Sequence, residues 1–250
     1  MSLLYEELDF TPTEIGDLML RRRRMPQFGD FDIYEVKLGE DFLMTNLFHE
    51  SESQLAYKAF AAIPGDGPLS VIVGGLGLGY TAVAALEDQR VNDLDVIEFL
   101  QPVIDWHNQC IVPEGKKLTS DDRCRLINAN FFTRASDTEN GFDPSQPGKK
   151  YDAILLDIDH TPTNVLHQTN TRFYTQEGLL ELKSHLAPGG VFALWADGEP
   201  EASFTDKLDA LFTNATSHRI EFENPITGGS SVGAVYVATT QTSCGEQNAP

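Results

Sequence analysis

The sequence predicts an α/β protein in which a mostly parallel, seven-stranded sheet carries helices on both faces and follows a small N-terminal β-domain. Three observations predict it. From Pro68 onward, short apolar runs alternate with helical patterns, as in a sheet covered on both sides. The chain then ends in two alternating runs around the turn-rich segment Asn224 to Ser230, which read as an antiparallel hairpin at the sheet edge. Before Pro68 the extended runs are short, and the punctuation Pro64-Gly65-Asp66-Gly67-Pro68 marks the change of character. A domain boundary belongs there, with a small N-terminal domain and its linking helix over 1–65 and a second domain over 66–250.

In the first region Asp32 to Leu38 alternates with apolar residues at 34, 36 and 38, turns at Gly39-Glu40-Asp41 and returns through Phe42-Leu43-Met44 as a hairpin. The run Arg21 to Arg24 ends the apolar stretch Leu18-Met19-Leu20 and reads as a strand or hairpin edge rather than a binding patch. Glu52 to Ala62 spaces Leu55, Ala56, Ala59 and Phe60 as one helix face. In the second region strands are expected over Leu69–Val73, Leu94–Ile97, Arg125–Asn128, Ala153–Leu156 and Val191–Leu194, then His218–Glu223 and Val232–Thr239 as the hairpin. Helices are expected over Tyr80–Leu86, Pro102–Gln109, Arg172–His185 and Glu201–Phe212.

With 250 residues, 41% of them hydrophobic, the chain can bury a full core and is not globally disordered. No stretch reaches the roughly 18 to 20 apolar residues of a membrane span, and MSLLYEELDF lacks the basic-then-apolar order of a signal peptide, so the chain reads as soluble and cytoplasmic. Its 18 basic and 38 acidic residues give a net charge of −20, which repels phosphate and argues against a nucleic-acid partner. The same field draws in a small cationic or amine substrate. Cys110, Cys124 and Cys244 form neither a CxxC pair nor an even set, and the six histidines show no ligand spacing, so no metal is expected. A homodimer is compatible with this reading; a G-x-S-x-G elbow is absent.

The strongest motif is Val71-Ile72-Val73-Gly74-Gly75-Leu76-Gly77-Leu78-Gly79-Tyr80-Thr81, an apolar strand leading through a glycine-rich turn into a helix. Such a turn needs positive φ and close backbone approach, and it aims helix N-terminal N–H groups at a ligand. Glu98 follows Gly79 by 19 residues, at the end of the next strand, where a carboxylate can accept both hydroxyls of a ribose. Gly77 to Ala82 also satisfies a dinucleotide form. That form would leave Gly74 and Gly75 inside the strand end, whereas a GxGxG reading on Gly75, Gly77 and Gly79 begins where the apolar run stops.

The glycine turn, Glu98, Leu126-Ile127-Asn128-Ala129-Asn130, the segment Tyr151 to Asp159 and Phe173-Tyr174 together resemble the spermidine synthase family, as does the order of the two domains. The resemblance spans nearly the whole chain and implies a Rossmann-like methyltransferase-type fold. It implies S-adenosylmethionine or its decarboxylated form as co-substrate, no metal, and a place in polyamine biosynthesis. It also implies that Glu98 holds the ribose, that Asn130 stands where an aspartate usually reaches the adenine amine, and that Asp157 is the acid at the mouth of the fourth strand.

An amine that attacks the carbon beside a sulfonium must first lose a proton, and Asp157 at a strand carboxyl end can take it. Asp159, His160 and Tyr174 are the candidate substrate-binding residues, with Asp197 a further pocket candidate. Asp159 alternates with Asp157 and points to the opposite side unless the chain turns after Leu156. The chain departs from the family where a polyamine is gripped. Gly77 stands for an aspartate of the turn, Tyr57-Lys58-Ala59 for Tyr-His-Glu, and His160 for the second acid of an Asp-x-x-Asp pair. These departures predict weak activity with putrescine and a monoamine or less charged acceptor. Three functions remain open: an amine-alkylating, spermidine-synthase-like transferase, an S-adenosylmethionine-dependent methyltransferase, and a non-catalytic nucleoside-binding homologue.

Overall fold

A computed structural model describes residues 5–242 and contains two sheets. The first is a four-stranded antiparallel sheet in the order β1 (Tyr5–Thr13), β2 (Gly16–Arg23), β3 (Ile33–Leu38) and β4 (Asp41–Thr45). It is larger than a single hairpin because the acidic run from Tyr5 pairs with β2. Leu18 lies opposite Leu38, Leu20 opposite Val36, and Val36 opposite Met44, so these apolar side chains share one face. The arginine run is used in cross-strand pairing. Arg21 and Arg23 both donate to the buried Glu35 carboxylate, Arg22 pairs with Glu6, and Arg24 with Asp32.

Helix α1 (Glu50–Ala61) follows β4 and buries Leu55, Ala56, Ala59 and Phe60. It packs on α2 (Tyr80–Glu87) and on the second sheet at β9 (Leu186–Asp197) and β11 (Gly229–Thr239). That sheet has the order β10-β11-β9-β8-β5-β6-β7, where β5 is Leu69–Gly74, β6 Val91–Glu98, β7 Cys124–Asn128, β8 Tyr151–Leu156 and β10 Asn214–Asn224. Its strands run parallel except β11, which pairs antiparallel with both β9 and β10. All seven expected strands are present, several longer than their apolar cores. The remaining helices are α3 (Gln101–Asn108), α4 (Gly115–Thr119), α5 (Phe131–Ser136), α6 (Gln176–Lys183) and α7 (Ala202–Leu211).

The expected helix over Arg172–His185 is instead a 3-10 segment, Gln168–Tyr174, followed by α6. Thr175 breaks it, being extended and capping α6 by accepting the Gly178 N–H on its hydroxyl. The N-terminal sheet is tied to a helix of the second region where Trp106 Nε1 of α3 donates to Asp9 Oδ2 of β1 at 2.7 Å. Cys110 and Cys124 are free thiols, and Cys244 lies outside the described residues. Among the described residues no helix is long and apolar enough to cross a membrane.

Candidate functional site

The strand order reverses between β5 and β8, and a crevice opens there at the carboxyl ends of the strands. The glycine turn leaves β5 with positive φ at Gly75 (93°), Gly77 (49°) and Gly79 (97°). A Cβ at Gly75 would overlap the Asp157 carbonyl, and one at Gly77 would stand 2.5 Å from Met44 Sδ. The backbone groups of the turn are held from outside it. Leu76 N–H donates to Glu98 Oε2 at 3.0 Å, Leu78 N–H to Met44 Sδ at 3.1 Å, and buried His107 Nε2 donates to Gly77 O at 2.9 Å. Gly75 and Gly77 line the cavity, whereas Gly79 packs against Leu118 and His107.

Glu98, the last residue of β6, receives Leu76 N–H on one oxygen and Leu100 N–H, at 2.8 Å, on the other. Burial raises its pKa, while these backbone donors pull it down. Glu98 lines the cavity beside the glycine turn, and a carboxylate is the group that accepts from hydroxyls. Asn130 lines the same cavity and caps α5, its Oδ1 accepting Thr133 N–H at 3.0 Å, so its amide NH2 remains as a donor.

Asp157 follows β8, and its Oδ2 accepts from Thr81 Oγ1 of α2 at 2.6 Å. Burial pushes its pKa up to about 6. Glu52 of α1, which the sequence reading does not single out, lines the same cavity and interacts with Asp157. Burial, with the Asp157 charge adding to it, pushes Glu52 up to about 8. Burial thus favours the neutral form of both carboxyls. The substitution expected at Tyr57-Lys58-Ala59 is therefore corrected. Tyr57 points outward to donate to Glu87 at 2.5 Å, Lys58 lies off the cavity on the side of His218, and the acid this helix brings to the cavity is Glu52, about two turns before Ala59.

Asp159 and Tyr174 do not line the cavity. Asp159 is buried and saturated, accepting from Leu166 N–H at 2.7 Å, Asn170 Nδ2 at 2.9 Å and Tyr174 OH at 2.7 Å. The alternation along the backbone turns it away from Asp157, and its bonds tie down the loop between β8 and the 3-10 segment. His160 does line the cavity. Asp197 is exposed and lies outside it.

The cavity measures about 290 Å³. Its floor comes from the carboxyl ends of β5, β6 and β8 and the following loops. Its roof is Glu14, Ile15, Leu18, Val36, Leu38, Leu43 and Met44 of the N-terminal sheet. Four carboxyls, Glu14, Glu52, Glu98 and Asp157, line it, and no lysine or arginine does. Among the described residues no group of three or more His, Cys, Asp or Glu is arranged to hold a metal ion.

No protein-family model matches the chain, and no curated protein sequence does. Solved structures do match. A spermidine synthase in complex with the transition-state analogue AdoDATO superposes with a TM-score of 0.69 at 17% identity, over 93% of this chain and 73% of that one. Spermidine synthase from Thermotoga maritima gives 0.68 at 16% identity, over 93% and 72%. Human methyltransferase-like protein 13 in complex with SAH gives 0.57 at 20% identity, over 80% and 85%. The chain thus has a spermidine-synthase-like fold: a Rossmann-like, methyltransferase-type domain behind a small β-sheet domain.

Proposed function

We propose that this protein is a spermidine-synthase-like transferase that binds a decarboxylated S-adenosylmethionine-type sulfonium nucleoside and alkylates an amine. The observation that carries the reading is the buried acids Glu52 and Asp157, in a cavity lined by four carboxyls, two histidines and no lysine or arginine. A sulfonium with an aminopropyl arm and an incoming ammonium are all cations, and such a lining attracts them. The carboxylate of intact S-adenosylmethionine would meet four acids and no lysine or arginine. In this reading Glu98 accepts the two ribose hydroxyls, and the Asn130 amide donates to an acceptor nitrogen of the adenine ring.

The acceptor arrives as an ammonium without a lone pair. It gives one proton to Asp157, the acid that follows β8 at the cavity. The freed nitrogen pair then forms a C–N bond to the carbon beside sulfur. The C–S bond breaks, its electron pair stays on sulfur, and a neutral thioether leaves. Methyl transfer from S-adenosylmethionine is the second reading, favoured by Gly77, which supplies no carboxyl for an aminopropyl arm.

The test is release of methylthioadenosine from decarboxylated S-adenosylmethionine in the presence of a mixture of primary amines. Wild type should release it. Asp157→Asn should bind the nucleoside normally and turn over about 10²- to 10⁴-fold more slowly, the usual contribution of a general base. Equal turnover in Asp157→Asn would make this acid structural. Release of S-adenosylhomocysteine from S-adenosylmethionine, with no methylthioadenosine from the decarboxylated form, would select methyl transfer.

A further inference from the structure

Resting on that reading, we infer that Asn130 opens the nucleoside site to 6-oxopurine thioethers and sulfoniums, the inosine type, as well as to the adenosine type. The carboxyl ends of four neighbouring strands set where the base lies. Ladder pairing aligns Leu156 of β8 with Gly74 of β5, Gly74 with Ile97 of β6, and Ile97 with Ile127 of β7. Just past this row, in the same strand order, the cavity is lined by Asp157, Gly75, Glu98 and Asn130. At about 4.8 Å per strand, the end of β7 stands roughly 14 Å from that of β8. With Glu98 on the ribose and the reacting carbon at Asp157, the base extends toward β7. Phe99, Leu100 and Val103, which follow Glu98, and Phe132, which follows Asn130, supply apolar surface for its ring.

The polarity of the Asn130 amide is fixed by the helix it caps. Its Oδ1 accepts Thr133 N–H at 3.0 Å, and the flipped amide would set NH2 against N–H, donor against donor. Among the described residues its Nδ2 has no hydrogen-bond partner, and the side chain is half-buried at the cavity. A smaller cavity of about 150 Å³ adjoins the same residue. The polar groups it adds are the hydroxyls of Thr133, Ser136 and Thr169 and the ion pair of Arg172 with Glu181. A hydroxyl donates or accepts, so it does not choose between bases. Adenine presents an amine at position 6 and a lone pair at N1, whereas a 6-oxopurine presents a carbonyl at position 6 and an N–H at N1. The Asn130 NH2 finds an acceptor on either base. A carboxylate in its place would accept from the adenine amine but face the 6-oxo oxygen with no proton between them.

The experiment is calorimetric titration of wild type and Asn130→Asp with methylthioadenosine and with methylthioinosine, which differ only along this edge of the base. Wild type should bind methylthioinosine no more than about fivefold more weakly than methylthioadenosine. Asn130→Asp keeps a side-chain oxygen for Thr133 N–H and exchanges the donor for an acceptor. It should raise the preference for methylthioadenosine at least about tenfold above that of wild type. A wild-type preference for methylthioadenosine larger than about fivefold would overturn the inference, and so would an unchanged ratio in Asn130→Asp. Wild type that binds neither thioether would instead remove the nucleoside reading on which the inference rests.

Discussion

Glu98 combines two tasks in one carboxylate: it accepts Leu76 N–H and Leu100 N–H and so fixes the glycine turn, and it faces the cavity with its remaining acceptor capacity. Hydrogen bonds to charged groups contribute roughly 1.5 to 3 kcal/mol each. Glu98→Ala should therefore weaken methylthioadenosine binding by at least about tenfold, measured by calorimetry; an unchanged dissociation constant would remove Glu98 from the nucleoside site. At this scale the sequence is uneven as a guide. Glu98, Asn130 and Asp157, which line the cavity, are legible as positions because each stands at or just past the end of a recognisable strand. Glu52 is not, because Glu50 and Glu52 read as ordinary acids of a first helical turn. It joins the cavity lining together with Asp157, which lies more than a hundred positions away. Asp159 misleads in the opposite way, since nothing local reveals that three donors already occupy it.

Helix α1 brings Glu52 to the cavity at a cost that depends on pH. A carboxyl whose pKa rises on folding destabilises the folded state once the unfolded chain can ionise and the folded chain cannot. For Glu52 the ordinary value is 4.5 and the folded value about 8, so stability is highest below about pH 4.5 and is lost as pH rises toward 8. Asp157, raised to about 6, acts in the same direction over a lower window. Glu52→Gln removes the larger part of this loss. At pH 8.5 the variant should melt several degrees above wild type, at about 2 to 4 °C per kcal/mol for a chain of this size, and the gap should close near pH 4. A gap of the same size at both pH values would mean that Glu52 is not a raised carboxyl. The elements themselves were legible wherever periodicity was strong, as in the five parallel strands and the final hairpin. β1 escaped because its charged, edge-strand sequence has little apolar alternation, and α4 and α5 because each is shorter than two turns.

In the whole molecule the cavity is neither domain's alone. The second sheet supplies the acids and the glycine turn, while the N-terminal sheet supplies an aliphatic lid whose Met44 reaches into the turn at Gly77. This explains a glycine where the resembled family has an acid: a side chain at 77 would need both φ near 49° and the volume of the Met44 sulfur. The break at Pro64 to Pro68 was legible, and it falls between α1 and β5. The meeting of the domains over one acidic cavity was not, because it depends on pairings such as Trp106 with Asp9 that no local pattern encodes. The central claim is that this cavity holds a nucleoside thioether or sulfonium without a carboxylate. Calorimetric titration of wild type at pH 7.5 with methylthioadenosine and with S-adenosylhomocysteine tests it most directly. The account predicts that methylthioadenosine binds at least tenfold more tightly, a preference of about 1.4 kcal/mol; tighter binding of S-adenosylhomocysteine would contradict it.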